Sequence, residues 1–143
     1  MVMLIGSYEH RLESKGRLVL PARFREDLGD NLVASIGVEH CIAVYSLDRW
    51  SELFEKLKSL SYSKERSRAF LRLFLAMAHE ISVDPTGRVL IPQPLRDHAS
   101  LKNRVCITGV GDHLEIWDYD LWEEYRSRAL SDFPRIVEEV GGY

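Results

Sequence analysis

The chain is expected to adopt an α+β fold in which two tandem β-rich repeats pair about a pseudo-two-fold axis into one small β-barrel with flanking helices. Three observations lead there. First, a short phrase occurs twice: Lys15-Gly16-Arg17-Leu18-Val19-Leu20-Pro21 returns 71 residues later as Thr86-Gly87-Arg88-Val89-Leu90-Ile91-Pro92, and self-similarity at a fixed period marks a repeated structural unit. Second, the register extends outward. Leu12 answers Val83, Glu13 answers Asp84, Phe24 answers Leu95 and Arg25 answers Arg96, while Val44-Tyr45-Ser46-Leu47-Asp48-Arg49-Trp50 answers Ile116-Trp117-Asp118-Tyr119-Asp120-Leu121-Trp122. Third, neither unit holds enough strands to hide its apolar faces alone, and closing one unit on the other removes exposed sheet edges.

Each element follows from its residues. Residues 4–12 alternate loosely, as a strand does. Ser14-Lys15-Gly16 makes a turn in which Gly16 can take a positive φ, and Arg17 to Leu20 reads as the return strand. Pro21 suits the first turn of a helix. Leu20, Phe24 and Leu28 are spaced four apart and stack on one face of it, and Gly29 ends it. Two strands follow, Leu32 to Ile36 and Cys41 to Tyr45, separated by Gly37. Asp48 is the expected cap of a helix with Trp50, Phe54 and Leu57 on its apolar face. After a break at residues 61–63, a second helix is expected from about Lys64 to Ala78, with Phe70, Phe74 and Met77 on one side and Lys64, Arg66 and Arg68 in its first turn.

The second unit repeats the plan. Ile81 to Val83 is a strand, and Asp84-Pro85-Thr86-Gly87 has proline and glycine where a turn wants them. Arg88 to Ile91 returns, and Ile91, Leu95 and Ala99 form the stripe of a short helix. Val105 to Val110 and Leu114 to Trp117 are the next strands. Asp120-Leu121-Trp122-Glu123 has capping-box spacing and opens a helix to about Leu130; Pro134 interrupts it, and Gly141-Gly142-Tyr143 reads as a frayed end. These readings divide the chain into a first repeat over residues 7–52, a helical connector over 53–80, a second repeat over 81–124, and a C-terminal helix and tail over 125–143.

With 143 residues, 45% hydrophobic and 29% charged, the composition is that of an ordinary globular protein. No apolar run reaches the roughly 18–20 residues of a membrane span, so no membrane partner is expected, and no signal peptide is legible at the N-terminus. Cys41 and Cys106 lie in apolar stretches and read as free buried thiols of a reducing compartment. The net charge is −3, yet its distribution is uneven. Residues 10–25 hold Arg11, Lys15, Arg17, Arg23 and Arg25 against Glu13 alone, whereas residues 115–140 are strongly acidic. A local basic zone, more than the total, decides where a polyanion docks.

The turns are the best candidates for chemistry. Asp84 and Arg88 flank a tight turn four residues apart, so the carboxylate can either fix the turn as a local ion pair or orient the guanidinium towards phosphate or a guanine edge. Glu13 and Arg17 hold the equivalent places. Lys64, Arg66, Arg68 and Arg72 form a second basic run, which reads as a solvated helix face. Enzyme chemistry finds little support. His10, His40, His79, His98 and His113 lack metal-ligand spacing, the nucleophile and phosphate-loop motifs are missing, and no cofactor or metal is expected.

On these residues the two halves resemble the MraZ proteins, bacterial transcriptional regulators associated with the division and cell-wall gene cluster. That family has two tandem AbrB-like (SpoVT-AbrB, swapped-hairpin) domains with a D-x-x-x-R motif in each. Asp84-Pro85-Thr86-Gly87-Arg88 matches it fully, and Glu13-Ser14-Lys15-Gly16-Arg17 matches with glutamate for aspartate. The resemblance runs to about Leu130. It implies sequence-specific binding of double-stranded promoter DNA carrying direct repeats, through Arg17 and Arg88, with Lys15 and Arg11 mainly on phosphate, Glu13 and Asp84 orienting the arginines, and Gly16 and Gly87 shaping the turns. It also implies a homo-oligomeric ring, location in the cytoplasm at the nucleoid, and repression. The competing expectation is a non-catalytic, antitoxin-like interaction scaffold on the same fold.

Overall fold

The computed structural model describes residues 3–141. The first unit comprises β1 (Ser7–Arg11), β2 (Arg17–Val19), α1 (Ala22–Leu28), β3 (Asn31–Ile36), β4 (Ile42–Ser46), α2 (Leu47–Leu57) and α3 (Glu65–Ala76). The second comprises β5 (His79–Ser82), β6 (Arg88–Leu90), α4 (Gln93–Ala99), β7 (Arg104–Gly109), β8 (Leu114–Asp118), α5 (Tyr119–Ser131) and α6 (Phe133–Glu139).

The units exchange strands. A six-stranded sheet runs β1-β7-β8-β4-β3-β5, and a separate two-stranded ribbon pairs β2 with β6. The order is symmetric about the β8–β4 pair: β1 of the first unit borders β7 of the second, and β5 of the second borders β3 of the first. All the ladders are antiparallel. The expected tandem α+β repeats are therefore present. The ladders themselves make an open sheet, with the ribbon linked to the outer strands β1 and β5 by the two Gly-Arg turns.

The sheet is covered on both faces, which explains the near-continuous apolar runs of its central strands. One face packs against the ribbon, α1 and α4. Leu18 and Leu20 from the first phrase and Val89 and Ile91 from the second meet Phe24, Leu28, Leu95 and Ala99 of the short helices over Leu32, Val44, Ile107 and Ile116 of the sheet. The stripes spaced four apart thus form the middle of the core. The other face is shared. Ala43 and Tyr45 lie under Leu57 and Phe74 of α2 and α3. Cys41, Cys106 and Trp117 lie under Leu121 and Trp122 of α5. Both thiols are buried and free; burial pushes the Cys41 thiol up to about 12, which leaves it protonated and inert.

Local expectations differ from the structure at the helix starts. Ser46, not Asp48, caps α2, its Oγ accepting from the Arg49 amide at 3.1 Å. Asp118, not Asp120, caps α5, its carboxylate accepting from the Leu121 amide at 3.3 Å. In both units the helix begins directly after the strand, so the cap is the strand's last polar residue, and Asp48 and Asp120 fall in the first turn at the positive end of the helix dipole. On α2 the inward stripe is Trp50, Leu53 and Leu57, while Phe54 stays 41% exposed. On α3 Phe74 is buried and its carbonyl accepts from the Ser35 hydroxyl at 2.7 Å, whereas Phe70 faces outward and Met77 turns to the central core. Pro134 sits in the first turn of α6, where its missing N–H costs nothing. Of the expected frayed end, residues 142 and 143 lie outside the described residues.

Candidate nucleic-acid interface

The two turns share their closing backbone hydrogen bonds and their glycine torsions, and differ at the tip, where Lys15 has φ 64° and Thr86 has no positive φ. In the first, the Glu13 amide donates to the Arg17 carbonyl at 2.8 Å and the Gly16 amide to the Glu13 carbonyl at 3.2 Å. In the second, the Asp84 amide donates to the Arg88 carbonyl at 2.8 Å and the Gly87 amide to the Asp84 carbonyl at 2.9 Å. Gly16 has φ 82° and Gly87 φ 83°, the left-handed region that glycine enters without steric cost. The ribbon ties them together. Arg17 faces Leu90, and Val19 faces Arg88. The Leu20 amide donates to the Gly87 carbonyl at 3.0 Å, and the Ile91 amide to the Gly16 carbonyl at 2.9 Å. Residues 71 positions apart in the chain thus form a single two-turn platform.

Arginines from the short helices seal that platform crosswise. A Cβ added to Gly16 would lie 2.6 Å from the guanidinium carbon of Arg96, and one added to Gly87 would lie 2.8 Å from that of Arg25. Each turn is therefore overlain by an arginine from the opposite unit. Arg96 Nε donates to the Ile91 carbonyl at 2.9 Å. Arg25 Nε is buried with no partner among the described residues. The sequence places Arg25 in the basic zone and matches it to Arg96, but that Arg25 and Arg96 each lie over the other unit's turn is visible only once the units pair.

The ionic contacts break the symmetry. The Asp84 carboxylate does not turn to the Arg88 guanidinium as four-residue spacing suggests. Its Oδ1 accepts from the Thr86 amide at 2.8 Å, the Thr86 hydroxyl at 2.7 Å and the Arg88 amide at 2.9 Å. It thus fixes Arg88 through the backbone. The Arg88 side chain pairs instead with Glu13 across the ribbon, Nε to Oε1 at 2.7 Å and Nη2 to Oε2 at 3.1 Å, a bidentate fork. The Arg88 guanidinium, with help from Arg17, holds the Glu13 carboxyl below its ordinary 4.5. The Thr86 hydroxyl and the Arg88 amide lower that of Asp84.

Arg17 is exposed, and among the described residues no carboxylate forms an ion pair with it. Lys15 is exposed at the tip of the first turn with φ 64°. Arg11 is exposed at the end of β1, opposite Arg104, whose Nε is held by Glu9 at 2.7 Å. The structure thus brings Lys15, Gly16, Arg17, Gly87, Arg88, Glu13 and Asp84 together at the two turns, with Arg11 on the strand that leads into the first. Among the described residues no group of three or more metal-ligating side chains occurs, and no helix is long and apolar enough to cross a membrane.

The two repeats exchange strands and set their basic turns side by side on one ribbon, a tandem-repeat architecture. The profile of a family described as "MraZ protein, putative antitoxin-like" matches residues 3–73 and again 74–139. A protein named "Transcriptional regulator MraZ" from Caldanaerobacter subterraneus subsp. tengcongensis is 46% identical over 141 residues, 99% of each chain. Proteins of the same name from Thermoanaerobacter sp. (strain X514) and Acetivibrio thermocellus are 44% and 45% identical over 138 residues, 96% of each chain. The chain belongs to the MraZ family and is a transcriptional regulator, not an enzyme.

Proposed function

We propose that the protein binds promoter DNA sequence-specifically through its two Gly-Arg turns, as a homo-oligomeric ring on tandem direct repeats, and represses the division and cell-wall gene cluster from the cytoplasmic nucleoid. The observation that carries this reading is the platform itself: two turns with the same closing hydrogen bonds, locked side by side, holding Arg17 and Arg88 on a chain of net charge −3. Arg17 and Arg88 are assigned to base or phosphate contact, Lys15 and Arg11 to phosphate, and Glu13 and Asp84 to positioning. Each turn alone binds weakly, and a ring that engages several repeats at once gains by effective concentration. The repeats (residues 7–52 and 81–124), with the connector and tail, are the proposed functional divisions.

A gel shift of the purified chain against the DNA upstream of its own gene, repeated over a series of salt concentrations, tests the reading. A retarded band that weakens steeply with salt is expected, because arginine and lysine displace counterions from phosphate. A protein that ignores this DNA, or binds it with no salt dependence, contradicts it and favours the non-catalytic, antitoxin-like scaffold, for which the acidic C-terminal region is the supporting feature.

A further inference from the structure

An open groove of about 540 Å³ lies between α2, α3 and the strands β3, β4 and β8. Ala43 and Tyr45 of β4 floor it, and Leu53 of α2 with Phe70 and Phe74 of α3 wall it. Its size and its largely apolar, aromatic lining are those of a small-molecule site. The ribbon and its two Gly-Arg turns belong to the core on the other face of the sheet, so the groove takes no part in the platform.

Two carboxylates also line the groove, Glu39 from the β3–β4 loop and Glu115 of β8. Glu115 stands opposite Ala43 in the β4–β8 ladder. Burial first, and then the charges of Glu115 and Glu39, push the Cys41 thiol up to about 12, so the two carboxylates converge on one spot. Glu115 Oε1 accepts from the Trp117 indole N–H at 3.1 Å. Among the described residues no cation forms an ion pair with either carboxylate. The neighbouring cationic groups are engaged elsewhere. Arg49 holds Asp112 at 2.8 Å and Glu52 at 3.2 Å. The His113 ring, stacked on Tyr45 at 4.8 Å, has its Nδ1 2.7 Å from Asp112. The cations of α3 do not line the groove.

We propose that this groove binds a small organic cation, an apolar body carrying a primary ammonium or guanidinium, with the body on Tyr45, Phe70 and Phe74 and the charged head at Glu39 and Glu115. A neutral ligand leaves both carboxylates unmatched, and an anionic one is repelled by them. The aromatic rings accept a cation at their faces, so the lining and the charge select one chemistry. The site is separate from the turns, and its ligand binding does not rest on the DNA reading.

Dansylcadaverine, a naphthalene body with a primary ammonium on an alkyl chain, is the probe, titrated with the full-length chain and read by its fluorescence. The dansyl amide of 6-aminohexanoate, which ends in a carboxylate, is its counterpart. The wild type is expected to bind the amine saturably and the acid at least about tenfold more weakly, the scale of a lost charge-assisted hydrogen bond. Glu39→Gln with Glu115→Gln keeps the shape of the groove and is expected to bring the two affinities together, with an unchanged circular-dichroism spectrum. Glu138→Gln with Glu139→Gln removes the same charge from α6 and is expected to keep the wild-type preference. Absence of saturable amine binding, equal binding of amine and acid by the wild type, or an equal loss in the α6 form overturns the site. The wild-type comparison decides by itself if the groove variant does not fold. An amine affinity that drops as protein concentration rises would place a second copy in the groove and overturn the proposal. A groove that ignores the amine but takes up an apolar peptide bearing one lysine is a protein-docking surface, and overturns it equally.

Discussion

The first and second Gly-Arg turns share their backbone hydrogen bonds and their glycine torsions, yet their side chains are wired differently. In the second turn Asp84 is spent on its own loop, bracing Thr86 and the Arg88 amide. In the first, Glu13 carries one more methylene, leaves its own loop and forks onto Arg88 across the ribbon. Among the described residues Arg17 is left without a carboxylate partner. The closing hydrogen bonds are common to both turns, while the longer Glu13 side chain, and Lys15 where the second turn has the Thr86 hydroxyl, accompany the different ion pairing. The platform consequently presents one held arginine and one free arginine. The overlying arginines repeat the asymmetry, since Arg96 finds a carbonyl for its Nε while Arg25 does not.

The largest expected effect falls on the free arginine. Arg17→Ala should weaken promoter binding by roughly tenfold to a hundredfold, the scale of a lost bidentate base contact, with thermal stability unchanged, as anisotropy and a melting curve would register. Gly16→Ala and Gly87→Ala should come next and should act on the fold. A methyl group at a positive φ costs about 1–2 kcal/mol, and here it also strikes the Arg96 or Arg25 guanidinium. The melting temperature should fall by several degrees in both variants. An unchanged melting temperature in either variant would contradict the strain expected at these positive φ angles.

Glu13→Gln should release Arg88. The freed guanidinium adds a cation to the DNA face, so the salt slope of binding should steepen by about one counterion while discrimination between promoter and random DNA narrows. An unchanged slope would mean that Arg88 is already committed to DNA in the complex. Lys15→Gly should act least. It removes a left-handed non-glycine residue, worth about 1 kcal/mol and partly offset by the entropy of a new glycine. The melting point should stay level or rise slightly, and DNA affinity should fall only a few-fold.

Proton linkage offers a further check on the same wiring. The pairing of Glu13 with Arg88 lowers the Glu13 carboxyl in the folded chain, so its stabilisation is complete above the ordinary 4.5 of an unfolded glutamate and disappears as pH falls through the lowered value. Asp84 behaves in the same direction. Melting temperatures should therefore be insensitive to these groups between pH 6 and 8 and should fall in acid, with a smaller acid-dependent part in Glu13→Gln. An acid limb identical in the variant would show that the pair contributes nothing to folding.

Much of this architecture was legible in the residues. Phe24 and Leu28, and Leu95 and Ala99, mark the short helices because their spacing reports one buried face; Leu20 and Ile91, expected as the first residue of each stripe, are buried too but precede the helices, which begin at Ala22 and Gln93. The strands were visible as β-branched runs between glycines. The cap positions at Ser46 and Asp118 were not, since strand and helix abut with no loop and the nearest aspartates drew attention two residues downstream. Phe54 and Phe70 misled for a related reason: an aromatic at helical spacing looks like core whether it faces the sheet or solvent. The Glu13–Arg88 fork and the crossed arginines were beyond sequence spacing altogether. They join residues some seventy positions apart through strand exchange, which periodicity along one unit does not record.

The most direct test of the unequal turns is to compare Arg17→Ala and Arg88→Ala, each folded as the wild type, for affinity to the same promoter fragment at one salt concentration. If Arg17 is the free reader and Arg88 the one held by Glu13, both variants bind more weakly than wild type and Arg17→Ala loses distinctly more. Equal losses would contradict the asymmetry, and undiminished affinity in both would contradict the assignment of the turns to DNA.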